Sequence, residues 1–243
     1  MDSAGRIALV TGAGRRVGQA IAIALAGWGA RVVVHYNASG DGARETLAQI
    51  ERAGGEGWLV QGDLSRPGEP ARLIDDVVTR AGGLDILVNS AAIMLRTPLE
   101  SVTESQWDEM FALNLRAPFF CAVAAGRAMT SRGGGAIINI ADLAGLEAWP
   151  AYVPHGITKA GVIHMTESLA RVLAPTVRVN AIAPGAVLLP EAFSSADAER
   201  LASTTPLGRI GSPDDVSRAV IYLLEADYVT GETLIVDGGR HVR

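Results

Sequence analysis

Short apolar runs recur along the chain, separated by stretches whose apolar residues fall three and four apart. Residues 7–10, 31–35, 58–61, 85–88, 136–140, 177–183 and 233–236 have the length and β-branched content of buried strands. Between the first two runs, Val17, Ala20, Ile21, Ala24, Leu25 and Trp28 keep helical spacing, and 43–53, 69–81 and 154–173 read as further helices. Glycines punctuate their ends: Gly27 with Gly29, Gly54 with Gly55, Gly82 with Gly83. Thr103-x-x-Gln106 has the form of a capping box and opens a long helix, to about residue 130, that carries Trp107, Met110, Phe111, Leu113 and Asn114. Ser212-Pro213-Asp214-Asp215 opens another, with a cap, a proline in the first turn and acids at the positive end. Strands alternating with helices predict a doubly wound α/β domain, a seven-stranded, mostly parallel sheet covered on both faces. No linker or internal repeat divides 1–243.

In such a sheet ligands bind beyond the carboxyl ends of the strands, so the chemistry is sought there. After the first strand comes Thr11-Gly12-Ala13-Gly14-Arg15-Arg16-Val17-Gly18. The glycines let backbone approach a ligand, and the helix start offers N–H groups and a positive dipole end to an anion. The spacing Gly12-x-Gly14-x-x-x-Gly18 is one residue longer than the common dinucleotide fingerprint. Where NAD enzymes place an acid after the second strand, this chain has His35-Tyr36-Asn37-Ala38-Ser39. A carboxylate there would repel a 2′-phosphate; with none, Arg15 or Arg16 supplies counter-charge and Ser39 a hydroxyl. The expected cofactor is therefore NADP(H). Asp63, followed by Leu64, stands after the third strand, where it is placed to accept from an adenine amino group.

The chain is 49% hydrophobic and 19% charged, which predicts a sizeable core and excludes disorder. The net charge of −5 and the lack of any basic block argue against nucleic-acid binding. The single cysteine, Cys121, excludes a disulfide framework and fits a reducing, cytoplasmic compartment. No signal peptide or membrane span is read, and no His/Cys cluster has metal-ligand spacing.

Asp142, followed by Tyr152-Val-Pro-His155-Gly-Ile-Thr-Lys159, completes a pattern with the glycine turn, Asn89-Ser90-Ala91-Ala92, Asn114, Pro184-Gly185 and Val236-Asp-Gly-Gly239. In that order these motifs resemble the short-chain dehydrogenase/reductase family over essentially the whole chain. The resemblance implies one Rossmann domain, hydride transfer with a nicotinamide cofactor and, commonly, a homotetramer. It further implies nucleotide contacts from Asn89, Ser90 and Ala91, and from Pro184, Gly185 and Val187 on the nicotinamide side, with Lys159 on the ribose.

The family's usual catalytic set is Asn, Ser, Tyr and Lys. Asn114 and Lys159 match, but His155 stands at the Tyr position and Asp142 at the Ser position. An Asp there, together with Arg16 at the second glycine of the turn and the His35-Tyr36-x-x-Ser39 segment, is similar to pteridine reductases and dihydromonapterin reductases. That similarity implies NADPH-dependent reduction of a C=N bond, with Asp142 accepting from adjacent pterin donors or relaying a proton. His155 and Lys159, four apart on a helix, share a face. With an ordinary pKa of about 6.5, His155 can serve as general acid near neutrality, oriented by Asp142. Alternatives are Tyr152 as donor, a carbonyl (3-oxoacyl-type) reductase, or a nucleotide-binding protein without turnover. Residues 186–206 are expected to form an apolar substrate lid.

Overall fold

A computed structural model describes residues 3–188 and 194–242. Seven parallel strands form one sheet in the order β3-β2-β1-β4-β5-β6-β7. They are β1 (Ile7–Val10), β2 (Arg31–Tyr36), β3 (Gly57–Gln61), β4 (Ile86–Asn89), β5 (Gly135–Ile140), β6 (Val177–Pro184) and β7 (Thr233–Val236). The order reverses direction between β1 and β4, which opens the crevice where ligands bind in doubly wound sheets. The doubly wound α/β fold expected from the strand–helix alternation is thus present, in the single-domain Rossmann form that the resemblance implies.

Alternation along each strand feeds two cores, because both faces are covered. Ile7 and Leu9 of β1 join Leu73, Leu87, Ile137 and Val179 in one. Ala8 and Val10 join Ile21, Leu25, Val32, Ile138 and Leu223 in the other. The first is roofed by α3 (Glu69–Ala81), α5 (Ala117–Thr130) and α6 (Val153–Leu173), the second by α1 (Arg16–Gly27), α2 (Gly40–Arg52) and α8 (Pro213–Glu225).

Three local features depart from the sequence reading. Asp85 precedes β4 instead of starting it, and its carboxylate accepts from Ile7 N–H at 2.9 Å and from Arg6 at 3.2 Å. The long helix after Thr103 is interrupted: α4 (Glu104–Phe111) passes through a π-helical turn, Ala112–Arg116, before α5. Asn114 sits inside that turn. Within the expected lid, Ser195–Ser203 forms α7, opened by a reciprocal cap between Ser194 and Asp197. Residues 189–193 of that segment lie outside the described residues.

Candidate active site

Contacts from several elements hold the turn between β1 and α1. Thr11 Oγ1 accepts from Ser90 N–H at 2.9 Å and from Ala91 N–H at 3.1 Å, drawing the segment after β4 against it. Ala13 N–H donates to His35 O at 2.8 Å, and Thr46 Oγ1 donates to Ala13 O at 3.0 Å. Gly12 has φ 68°, and a Cβ there would stand 2.9 Å from Ala91 Cα, so both backbone conformation and space demand glycine. Gly14 and Gly18 are packing glycines: a Cβ would meet Ser39 O at 2.8 Å and the Gly12 carbonyl carbon at 2.9 Å, respectively. The helix α1 then starts without a side-chain cap and without an acid in its first turn. Arg15 and Arg16 are exposed beside it and Val17 is half-buried. Arg16 has φ 55°, the one positive value among described non-glycine residues, and its guanidinium donates to Leu188 O at 3.2 Å. An uncapped helix start between two arginines is electropositive, and this donor set fits the phosphates of a dinucleotide.

At the end of β2, Tyr36 is half-buried and Asn37 exposed, with Ser39 against Gly14 and no carboxylate in the stretch. Several expected nucleotide contacts are placed differently. His35 is buried, its ring held between Gly12 N–H and Gly62 O at 3.1 Å each. The Leu64 side chain belongs to the core. Asp63 accepts from Ser65 N–H and hydroxyl, at 3.1 and 2.6 Å, and from Arg66 at 3.1 Å. These partners hold its carboxyl below the usual range. The Asn89 amide donates to Asn139 Oδ1 at 2.9 Å and to Pro118 O at 3.3 Å, so it braces β4 against β5. Ser90 and Ala91 contribute through backbone, as above. Pro184 ends β6; Gly185 lets Asp237 approach, since a Cβ there would stand 2.7 Å from Asp237 Cβ, and Val187 is buried beside Gly211.

Beyond β5 the structure gathers the expected chemical groups. Asp142 caps a short 3-10 turn, Leu143–Gly145, by accepting from Ala144 N–H at 2.8 Å through Oδ1. Its Oδ2 lies 3.6 Å from His155 Nε2. The His155 side chain is 3% exposed against 26% for Asp142, and both of its ring nitrogens are buried without a hydrogen-bond partner among the described residues. One helical turn on, the Lys159 ammonium donates to Ile140 O at 2.7 Å. Burial pushes this amine down to about 8, with Asp142 acting in the opposite sense. Asn114 in the π turn accepts from Ile93 N–H at 2.9 Å, donates to Ile93 O at 2.8 Å and reaches Thr158 Oγ1 at 3.4 Å. Thr158 in turn donates to His155 O at 2.7 Å. Tyr152 ends a separate 3-10 turn, with its ring edge-on to Trp149, centroids 6.3 Å apart.

Thr46 and Thr158 are the positioning residues that sequence reasoning passed over; each is a hydroxyl with a partner far along the chain. A clearer signal was available for Lys159. The chain has 20 arginines and this one lysine. An arginine fork does not fit where a compact amine must be buried against a carbonyl, so the exception marks the site.

The profile of the family described as enoyl-(acyl carrier protein) reductase matches residues 12–241. A 3-oxoacyl-(acyl-carrier-protein) reductase FabG from Staphylococcus aureus is 36% identical over 240 residues, covering 97% of this chain and 98% of the relative. Among solved structures, a gluconate 5-dehydrogenase from Burkholderia cenocepacia J2315, in complex with NADP and tartrate, superposes with a TM-score of 0.92 at 32% identity. That match covers 99% of this chain and 96% of the other. The angucycline C-6 ketoreductase LanV with bound NADP gives a TM-score of 0.92 at 33% identity, covering 100% of this chain and 98% of LanV.

Proposed function

The chain belongs to the short-chain dehydrogenase/reductase family, and from that premise we propose that it is an NADPH-dependent reductase of a 3-oxoacyl-type or similar ketone. It is an oxidoreductase whose relatives include a 3-oxoacyl reductase and a ketoreductase, which favours a carbonyl over the C=N substrate expected from the pteridine-reductase likeness. The observation that carries the reading is the cluster beyond β5: a partly exposed carboxyl, a buried imidazole and a buried amine, with Asn114 tied to the same helix.

Gly14, Arg15, Arg16 and the first turn of α1 would hold the phosphates, and the lack of an acid near Ser39 favours the 2′-phosphorylated form. Lys159 would hold the nicotinamide ribose. Bound there, the dinucleotide supplies a hydride for the carbonyl carbon. The chain's own groups manage the proton. As imidazolium, His155 would hold it at Nε2, 3.6 Å from Asp142 Oδ2, and be left neutral once the pair closes to hydrogen-bond distance and the proton passes. Because both ring nitrogens are closed to solvent, the proton reaches the carbonyl oxygen by way of Asp142, the one partly exposed group of the three. Lys159 keeps a positive charge beside that carboxylate, and Asn114 anchors the His155 turn through Thr158.

A pterin-type substrate is the second reading, favoured by one observation: a carboxylate on the substrate side accepts from paired N–H donors, which a ketone lacks. Steady-state NADPH oxidation with a 3-oxoacyl thioester, a small ketone panel and dihydrobiopterin decides between them. Turnover of the thioester or ketones is the expected result. Turnover of the dihydropterin alone would transfer the assignment to C=N reduction, and NADPH binding without turnover of any substrate would overturn both readings.

A further inference from the structure

His35 lies near the end of β2, where a side chain contacting the nucleotide was expected, yet it is 2% exposed. Its ring joins two stretches of backbone instead. Gly62 O lies 3.1 Å from Nε2, and since a carbonyl only accepts, Nε2 carries the proton. Nδ1 is then a lone pair, and it accepts from Gly12 N–H at 3.1 Å. The partners fix one neutral tautomer, and burial supports it by pushing the imidazole down to about 4. Gly12 opens the glycine turn, and Gly62 immediately precedes Asp63.

We propose that His35 is a positioning residue for the dinucleotide, a neutral cross-link between the glycine turn and the loop after β3 that presets the phosphate-receiving backbone without touching the ligand. This role rests on the nucleotide-binding reading above. The turn needs such a brace because Gly12, without a side chain and at φ 68°, is the residue with most freedom to lose. The other ties act on its neighbours: Thr11 Oγ1 holds Ser90 and Ala91, while Thr46 and His35 O hold Ala13. Among the described residues, the imidazole alone engages the Gly12 amide. It also transmits position, since Gly62 N–H donates to Tyr36 O at 3.0 Å, locking the β3 loop to the residue after His35.

A neutral brace and a cationic phosphate ligand make opposite predictions about cofactor choice. The brace shapes backbone that NADPH and NADH share, so its loss weakens both. A charged contact to the 2′-phosphate weakens NADPH alone.

Dissociation constants for NADPH and NADH are measured by calorimetry for wild type, His35→Gln and His35→Phe, with folding checked by circular dichroism. His35→Phe leaves the Gly12 donor and Gly62 acceptor unmet and is expected to weaken both dinucleotides about tenfold or more, with the ratio between them unchanged. His35→Gln, which offers one acceptor and one donor, recovers most of the loss. In 15N NMR spectra of wild type, one imidazole is expected as the neutral Nε2–H tautomer across neutral and mildly acidic pH. Loss confined to NADPH, undiminished binding by the Phe variant, or an Nδ1–H tautomer would each overturn this role alone. Wild-type protein that binds neither dinucleotide would sink the functional reading and this role with it.

Discussion

Lys159→Met should abolish turnover and yet stabilise the protein. The lysine is 5% exposed and its amine is pushed from 10.5 down to about 8 by burial, so its charged form is held against an energetic gradient. At about 1.4 kcal/mol per pH unit, the shift corresponds to a cost of about 3 kcal/mol at pH 7, where the amine is protonated both folded and unfolded. Methionine removes that cost, but it leaves Ile140 O without its donor, which takes back about 1–2 kcal/mol. The net gain is about 1–2 kcal/mol, or a rise in Tm of about 2–8 °C for a chain of this size. The pH dependence gives a sharper signature. Between about 8 and 10.5 the unfolded chain binds the lysine proton more tightly than the fold does, so wild-type stability climbs through that window. Below pH 8 the penalty is fully present. The variant lacks this contribution, so its advantage is expected at pH 7 and shrinks as pH approaches 10.5. Urea unfolding of both proteins at pH 7, 8.5 and 10 measures it. A variant less stable than wild type at pH 7, or an advantage indifferent to pH, would refute the reasoning that this amine is buried at a cost.

Asp142→Asn keeps the cap on Ala144 N–H but removes the proton-carrying oxygen, and kcat is expected to fall about a hundredfold with the NADPH dissociation constant unchanged by calorimetry. His155→Tyr alone sets a phenol beside the Asp142 carboxylate, and ketone turnover measured by NADPH oxidation at neutral pH should fall. Asn114→Ala strands Ile93 N–H and O together and should cost about 2–4 kcal/mol in urea unfolding. Wild type is expected to lose about 3 kcal/mol as pH falls from 6.5 to about 4, because the unfolded chain takes up a proton that His35 refuses in the fold; His35→Phe should flatten that part of the pH–stability curve.

Strand positions were legible because both faces of the sheet are buried, which leaves continuous apolar runs such as Val32-Val33-Val34 with polar breaks at each end. The residues beyond β5 were picked out by the family resemblance, carried over position by position; spacing adds only that His155 and Lys159, four apart on a helix, share a face. What escaped lies in pairings between distant segments. A capping signal at Ser194-x-x-Asp197 was written in the same form as that at Thr103-x-x-Gln106, but it opens a helix of only Ser195–Ser203 inside a stretch read as lid. Asn114 was read as part of one continuous helix; it sits instead in a π turn, with its side chain bonded to Ile93 on another segment. His35 was read as a ligand contact from its place at the end of a strand, and Asn89 from the family resemblance. Both spend their polar atoms on backbone or side chains far away in sequence, and no local pattern foretells that.

The two departures from the family's catalytic set, Asp142 and His155, face each other across 3.6 Å. A carboxylate in place of the usual serine hydroxyl puts a negative charge within the field of the Lys159 amine, where its attraction partly offsets the burial that drives that amine toward neutrality. A phenol beside the same carboxylate would have to ionise next to a like charge. An imidazole loses a proton to become neutral, so at that position it tolerates the carboxylate in both of its states. The buried ring of His155 stands 3.6 Å from Asp142 Oδ2, an ion-pair separation, with no hydrogen-bond acceptor among the described residues competing for its nitrogens. Substituting either residue alone should therefore cost more than reverting both, and the double variant Asp142→Ser with His155→Tyr should recover ketone turnover that each single change loses.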